Sequence, residues 1–260
     1  MADAAIRIGV AGAQGRMGRV VAGLVRERAD LELAALFDRP DAAGQVVDST
    51  VLTDARTALG LCDVIVDFTT AAASAELARL AGGHGGIALV IGSTGMSQDE
   101  ERAVREASDR IAIVKSGNFS LGVNLLMGLV RQAAKALPAD YDIEVFEAHH
   151  RRKVDAPSGT GLMLGRAAAE GRGQELGDVS ERGRDGMTGP RGPGAIGFSV
   201  MRAGGIVGEH SVVFASDDEI VTLSHSARDR SLFARGALEA ARWAAGRAPG
   251  LYDMMDVLGL

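Results

Sequence analysis

Residues 147–160 read EAHHRRKVDAPSGT. His149 and His150 form an adjacent histidine pair, and imidazole is the side chain whose ordinary pKa lets it give and take protons near neutral pH. Lys153, four residues after His149, supplies a second proton, and Arg151 and Arg152 add fixed positive charge. Pro157, Ser158, Gly159 and Thr160 precede the helical run GLMLGRAAAEG. Ser158 therefore reads as a helix N-cap, with the backbone N–H groups of Gly159 and Thr160 facing outward. A helix start of this kind binds carboxylate or phosphate. The stretch is either a solvated basic loop beside a capped helix or a site that holds an anion and moves protons, and the rest of the chain decides which.

The chain has 260 residues, 47% of them hydrophobic, enough for one large core or two modest ones. Its 35 glycines are nearly twice the usual share of about 7%, which points to tight turns and close backbone approaches. A net charge of −6 disfavours general binding to nucleic acid or anionic membranes, so a basic segment here reads as a local site for a small anionic substrate. Cys62 is the sole cysteine, which excludes an intrachain disulfide and a multi-cysteine metal site. With no signal-peptide pattern and no apolar run of membrane length, the expected location is the cytoplasm.

The N-terminal part alternates strand and helix. IRIGVAG at 6–12 is a short apolar run suited to a buried parallel strand, and GAQGRMG opens a helix through about Arg28. ELAALFD, DVIVDFT at 63–69, IALVIGSTG at 87–95 and IAIVKSGNFS at 111–120 are further strands with helical stretches between, one of them opened by a capping box of Ser97 with Glu100. The expected fold is α/β: a Rossmann-like doubly wound parallel sheet.

On that scaffold Gly12, Gly15 and Gly18 give G-x-x-G-x-x-G between a strand and a helix, where a pyrophosphate can approach the backbone. Asp38 stands 20 residues after Gly18 at the end of the second strand, placed to bond the ribose 2′-OH of NADH, and Arg39 beside it to pair with the 2′-phosphate of NADPH. Ligands of such sheets bind outside the carboxyl ends of the strands. The residues there are Phe68 and Thr69, then Gly92, Ser93 and Thr94, then Ser116, Gly117, Asn118 and Phe119.

From about Leu121 the pattern changes. LGVNLLMGLVRQAAKAL is helical, and YDIEVFEAHH is a strand that leads into the histidine pair. Residues 171–195, rich in Gly, Arg and charge, read as a disordered surface loop or as a lid or subunit-contact loop. IGFSVMRAGG, EHSVVFASDD and EIVTLSHSA are strands of an open antiparallel or mixed sheet. SLFARGALEAARWAAGR is a last amphipathic helix, and LYDMMDVLGL is expected to return to the first domain. The expected organisation is a dinucleotide-binding domain of residues 1–120 and 231–260, interrupted by an inserted α+β domain of residues 121–230 for substrate and oligomerisation.

VAGAQGRMG, VDFT, GSTG, NFSLGVNLL, EAHHRRKVDAPSGT and IGFSVMRAGGIVGEHSVVF, in order over nearly the whole chain, resemble the 4-hydroxy-tetrahydrodipicolinate (dihydrodipicolinate) reductase family of the diaminopimelate and lysine pathway. The resemblance implies reduction of a small cyclic dicarboxylate by NADH or NADPH in a homotetramer built through the second domain's sheets. It implies His149 as acid/base residue, His150 as substrate contact, Lys153 as proton donor, and Gly159 and Thr160, after Ser158, as carboxylate binders. It also implies cofactor contacts at Gly12, Ala13, Gln14, Gly15, Arg16 and Met17, at Asp38 and Arg39, at Gly92 to Thr94 and at Ser116 to Phe119. Many relatives have Ala-Pro-Asn or Ala-Ala-Asn where this chain has Ser116-Gly117-Asn118, a departure that bears on the fine contact with nicotinamide and not on the reaction class.

Two other readings use part of the same residues. Another reductase on this scaffold shares the glycine loop, but an acylating semialdehyde enzyme wants a nucleophilic cysteine, and Cys62 lies in an apolar run of the first domain. A non-catalytic nicotinamide-binding regulator has no use for a histidine pair, a lysine and an anion-binding helix start together.

Overall fold

The computed structural model describes residues 4–260. In chain order its elements begin β1 (Ile6–Ala11), α1 (Arg16–Arg26), β2 (Leu31–Phe37), β3 (Val46–Val47), β4 (Thr50–Val51), α2 (Ala55–Leu61) and β5 (Val64–Asp67). Next come α3 (Ala71–His84), β6 (Ala88–Ile91), α4 (Gln98–Ser108), β7 (Ala112–Lys115), α5 (Leu121–Ala136), β8 (Asp142–His149) and α6 (Gly159–Gly171). The chain closes with α7 (Leu176–Val179), β9 (Ser180–Glu181), β10 (Ile196–Arg202), β11 (Gly208–Ala215), β12 (Ile220–Ala227), α8 (Ser231–Ala244), β13 (Gly250–Tyr252) and α9 (Met254–Leu258). Two compact units result: one ends at Leu121 and resumes over Ser231–Gly259, and the other spans Gly122–Arg230.

The first unit is a six-stranded sheet in the order β13-β7-β6-β5-β1-β2, parallel throughout. Parallel pairing needs a crossover between strands, and helices on both faces make the strands apolar on both sides. Every residue of VIVD in β5 and ALVI in β6 is accordingly buried. Val64 and Val66 face one core with Ala237, Leu238 and Ala241 of α8, while Ile65 and Leu89 face the other with Ala78 of α3 and Val104 of α4. Ser97 and Glu100 form the expected capping box at the start of α4. Ion pairs from Arg28 to Glu239, 2.7 Å, and from Arg242 to Asp30, 2.9 Å, fasten α8 to the turn after α1.

Three boundaries differ from the sequence reading. The strand runs starting at 87 and 111 stop at Ile91 and Lys115, because Gly92 and Ser116 begin the loops that follow. Helix α1 ends at Arg26, two residues earlier than expected. A sixth strand, β13, pairs with β7, and at three residues it is too short to carry an apolar pattern. It is secured by Tyr252, whose ring meets Trp243 edge-on at 5.0 Å. In α8, Gly236 lies against the Phe119 carbonyl, where any Cβ would collide with backbone.

The second unit is a five-stranded mixed sheet in the order β12-β11-β8-β10-β9. β10 runs parallel to β8 and β9, and β11 runs antiparallel to β8 and β12. One face carries the core, with Val130 of α5 and Leu164 of α6 among the strand residues. Successive rows on that face follow from the register: Ile143 with Phe214 and Val221, then Val145 with Val212 and Leu223, then Glu147 with His210 and His225. The same face thus changes from apolar to ionisable within two residues. Segment 171–195 holds α7 and β9 and is tied to β8 by Arg184 on Glu144, 2.8 Å, and by Arg191 on Asp142, 2.7 Å, and on Glu144, 3.1 Å.

Candidate functional site

In the first unit the turn between β1 and α1 is built on glycine. Gly12 has φ +70°, Gly15 donates its N–H to the Gly12 carbonyl at 2.9 Å, and a Cβ on Gly18 would strike that carbonyl. Helix α1 therefore presses onto the loop. Its N-cap, Gly15, offers no side-chain hydrogen bond to the first-turn N–H groups, and a helix start of that kind suits an anion. Asp38, just after β2, accepts the backbone N–H groups of Gln14 and Arg39, each at 2.9 Å. Arg39 extends into solvent with its guanidinium 3.9 Å from Asp41, Arg16 is exposed, Met17 packs against the core and Ala13 is buried in it.

The other strand ends use several expected residues internally. Thr69 gives both its N–H, 2.8 Å, and its hydroxyl, 2.6 Å, to Asp67, whose carboxyl is fully buried and pushed up by that burial. Ser93 is buried and donates to Ser74 at 2.7 Å. Ser116 bridges to the Asn118 backbone, and the Asn118 amide oxygen accepts the Ser120 N–H at 2.8 Å. Phe119 is buried edge-on to Phe68, centroids 5.6 Å apart, and a Cβ on Gly92 would strike the Phe68 ring. Thr94 and Gly117 are the exposed members, with Phe68, Thr69, Gly92 and Ser116 half-buried. A helix start without a side-chain cap, a loop too close-packed for side chains and an acid at the end of β2 fit a dinucleotide, the pyrophosphate at α1 and a ribose toward Asp38. A cavity of about 560 Å³ in this unit is lined by Ile6, Asp63, Ala88 and Ala112 at the starts of the strands, away from these groups.

In the second unit the centre of the site is Glu147, fully buried at the end of β8. One carboxylate oxygen receives His149 Nδ1 at 2.6 Å and Arg202 Nη1 at 2.8 Å. The other receives Arg202 Nη2 at 2.7 Å and the Ser158 backbone N–H at 2.8 Å. Burial works to raise the Glu147 carboxyl, but the bonds from Arg202, His149 and Ser158 outweigh it and hold the group below its ordinary range. For His149 burial dominates and lowers the pKa, with Glu147 opposing and Lys153 and Arg202 adding to the fall. The imidazole is thus neutral at neutral pH, with Nδ1–H donated to Glu147 and the lone pair on Nε2. A Cβ at position 208 would stand 3.2 Å from Nε2, and Gly208 leaves that atom uncovered.

Around this pair, Lys153 Nζ lies 2.9 Å from Asp155 Oδ1, and that ammonium holds the Asp155 carboxyl below its ordinary range. Ser158 is the N-cap of α6, its hydroxyl accepting the Gly161 N–H at 3.0 Å. Because Ser158 is buried and used at both N–H and hydroxyl, Gly159, exposed, and Thr160, half-buried, form the accessible helix start. His150 Nε2 accepts from Arg230 at 3.0 Å, which leaves the proton on Nδ1, a buried donor without a partner among the described residues. Arg151 and Arg152 are exposed on the turn. The sequence reading gave no role to Glu147, Arg202, Asp155, His210 or Arg230. The one signal for His210 was its place in the inward alternation His210, Val212, Phe214, where a histidine replaces an apolar residue. Among the described residues no cluster of His, Cys, Asp or Glu is suited to a metal ion, and no helix is long and apolar enough to cross a membrane.

A parallel α/β sheet with a glycine turn at its first strand, and a mixed-sheet unit with a buried imidazole, an ammonium and a helix start, define a two-unit protein of the dinucleotide-fold oxidoreductase class. Residues 6–119 match the family described as dihydrodipicolinate reductase, N-terminus, and residues 122–258 its C-terminus. The 4-hydroxy-tetrahydrodipicolinate reductase of Caulobacter vibrioides is 61% identical over 98% of this chain and 97% of its own. That of Rhizobium rhizogenes is 52% identical over 100% and 99%. Among solved structures, the dipicolinate-bound dihydrodipicolinate reductase of Paenisporosarcina sp. TG-14 shares the fold, with a TM-score of 0.80 at 23% identity over 97% of this chain and 98% of the other. The chain belongs to the dihydrodipicolinate reductase family.

Proposed function

We propose that the chain reduces 4-hydroxy-tetrahydrodipicolinate to tetrahydrodipicolinate with NADH or NADPH, with loss of water, in diaminopimelate and lysine biosynthesis. The observation that carries the reading is the trio at the end of β8: His149 locked on Glu147, the Lys153 ammonium, and the α6 start at Gly159 and Thr160. It stands in a chain aligned end to end with reductases of that name.

When bound, the nicotinamide supplies a hydride to the substrate ring. The negative charge that develops there calls for a proton, which the Lys153 ammonium delivers, since His149 at neutral pH holds its one proton toward Glu147. His149 Nε2, open beside Gly208, takes up or returns a proton at the substrate and becomes a donor only below its lowered pKa. His150 Nδ1–H and the backbone of Gly159 and Thr160 hold the two carboxylates. Asp155, which pairs with Lys153, gives way to the substrate's own carboxylate. Gly12 to Met17, Asp38 with Arg39, Phe68, Thr69, Gly92 to Thr94 and Ser116 to Phe119 form the dinucleotide surface, through backbone wherever their side chains are buried.

In this reading residues 1–120 and 231–260 bind the dinucleotide and residues 121–230 bind substrate. The outer face of the mixed sheet, with Phe146 between Ser199 and Ser211, builds a homotetramer in the cytoplasm. The test is oxidation of NADH and NADPH, followed by absorbance, with substrate generated in situ from aspartate semialdehyde and pyruvate, and its inhibition by pyridine-2,6-dicarboxylate. Well-folded protein that oxidises neither cofactor overturns the reading.

A further inference from the structure

We propose that Glu147, held by Arg202, is the positioning residue of this site, fixing the tautomer of His149 and the start of α6 with one carboxylate. The inference deepens the reductase reading and rests on it for its kinetic part.

Glu147 stands where three parts of the site meet. It is fully buried, and its two oxygens accept four hydrogen bonds from three separate places: His149 on its own strand, Arg202 on β10 and the Ser158 backbone before α6. A buried carboxylate tolerates desolvation only when paired and saturated in this way. The bidentate Arg202 contact fixes the plane of the carboxylate, and that plane sets both the His149 ring and the Ser158 N–H. Arg202 in turn donates to the Asp155 backbone carbonyl at 2.7 Å, so the loop between Lys153 and Ser158 is held to the same framework. Proton transfer and carboxylate binding are thereby kept in fixed register.

The charges facing His149 come from every neighbouring element: Glu147 from β8, Arg202 from β10, His210 from β11 with His225 behind it on β12, and Lys153 from the loop. Glu147 is the only anion among them. Removing its charge must lower the His149 pKa, and removing the Arg202 charge must raise it, a pair of opposite shifts that simple loss of packing does not produce.

The test is a nitrogen-detected NMR titration of the histidines in the full-length protein, beside pH profiles of kcat. Wild type is expected to show His149 as the Nδ1–H tautomer at neutral pH, an observation that needs no variant to fold and no activity. Glu147→Gln is expected to move the His149 titration and its kcat limb toward acid and to lower kcat about 10²-fold, with NADPH affinity unchanged; Arg202→Gln moves the titration the other way. An Nε2–H tautomer in wild type, or variants whose His149 titrates as in wild type, overturns the proposal. If wild-type protein fails to oxidise NAD(P)H while the titrations behave as expected, the substrate assignment falls and the positioning role stands.

Discussion

Asp38 Oδ2 accepts the backbone N–H of Gln14 at 2.9 Å, so the acid at the end of β2 is stitched to the glycine turn after β1. The guanidinium of its neighbour Arg39 extends into solvent, 3.9 Å from Asp41. Asp38→Ala is expected to weaken NADH more than NADPH, because a ribose hydroxyl loses its acceptor, with a smaller common loss from the loosened turn. Arg39→Ala is expected to weaken NADPH selectively. Titration of each variant with both cofactors, read by fluorescence, checks the pair, and equal losses for both cofactors in both variants remove the assigned roles.

Lys153→Ala is expected to lower kcat by about 10² or more while NADPH affinity stays within a few fold. Steady-state kinetics beside direct cofactor titration separates the two. Unchanged turnover takes Lys153 out of the proton-transfer step.

The ring of His210 stands edge-on to His149 at 5.1 Å, and neither of its nitrogens has a hydrogen-bond partner among the described residues. Burial, with the nearby His149 adding to it, lowers its pKa to about 4 from 6.5. In the interval between those values the unfolded chain binds a proton that the folded one refuses, so stability is complete above the unfolded value and declines as pH falls through the window. The loss at its lower end is about 3 kcal/mol. His210→Phe, which keeps a buried ring without a titrating group, is expected to flatten that acid limb. Urea unfolding at a series of pH values measures it, and parallel slopes for variant and wild type contradict the assignment.

Cys62 is buried beside Gly9, and burial pushes its thiol up to about 12. A thiol in that state makes almost no thiolate and cannot act as an acyl-accepting nucleophile. A disulfide reagent is expected to leave the native protein unlabelled and to modify one thiol per chain after denaturation. Rapid labelling of native protein returns the acylating dehydrogenase reading to contention.

Local chemistry is what the sequence made legible. Val64, Ile65 and Val66 announce a strand buried on both faces, Ser97 with Glu100 announces a helix start, and Gly12 with Gly18 marks a backbone crossing that admits no Cβ. What stayed hidden depends on register. Arg202 reaches Glu147 across 55 residues only because β10 pairs with β8 so that Val200 stands opposite Glu147. No spacing within either strand encodes that pairing. The strand-end rule located the loops around Ser93, Asn118 and Phe119, but which way each side chain turns was decided by Ser74, Ser120 and Phe68.

The contact between Gly236 and the Phe119 carbonyl carries a topological consequence. The chain departs after Phe119 and comes back beside it, so within the first unit the points of departure and return are neighbours. Residues 122–230 leave and re-enter the first unit at neighbouring points, so for that unit they are an insertion whose closure cost grows only slowly with its length. Replacing the insertion by another segment whose ends lie equally close together is expected to leave the six-stranded sheet able to form.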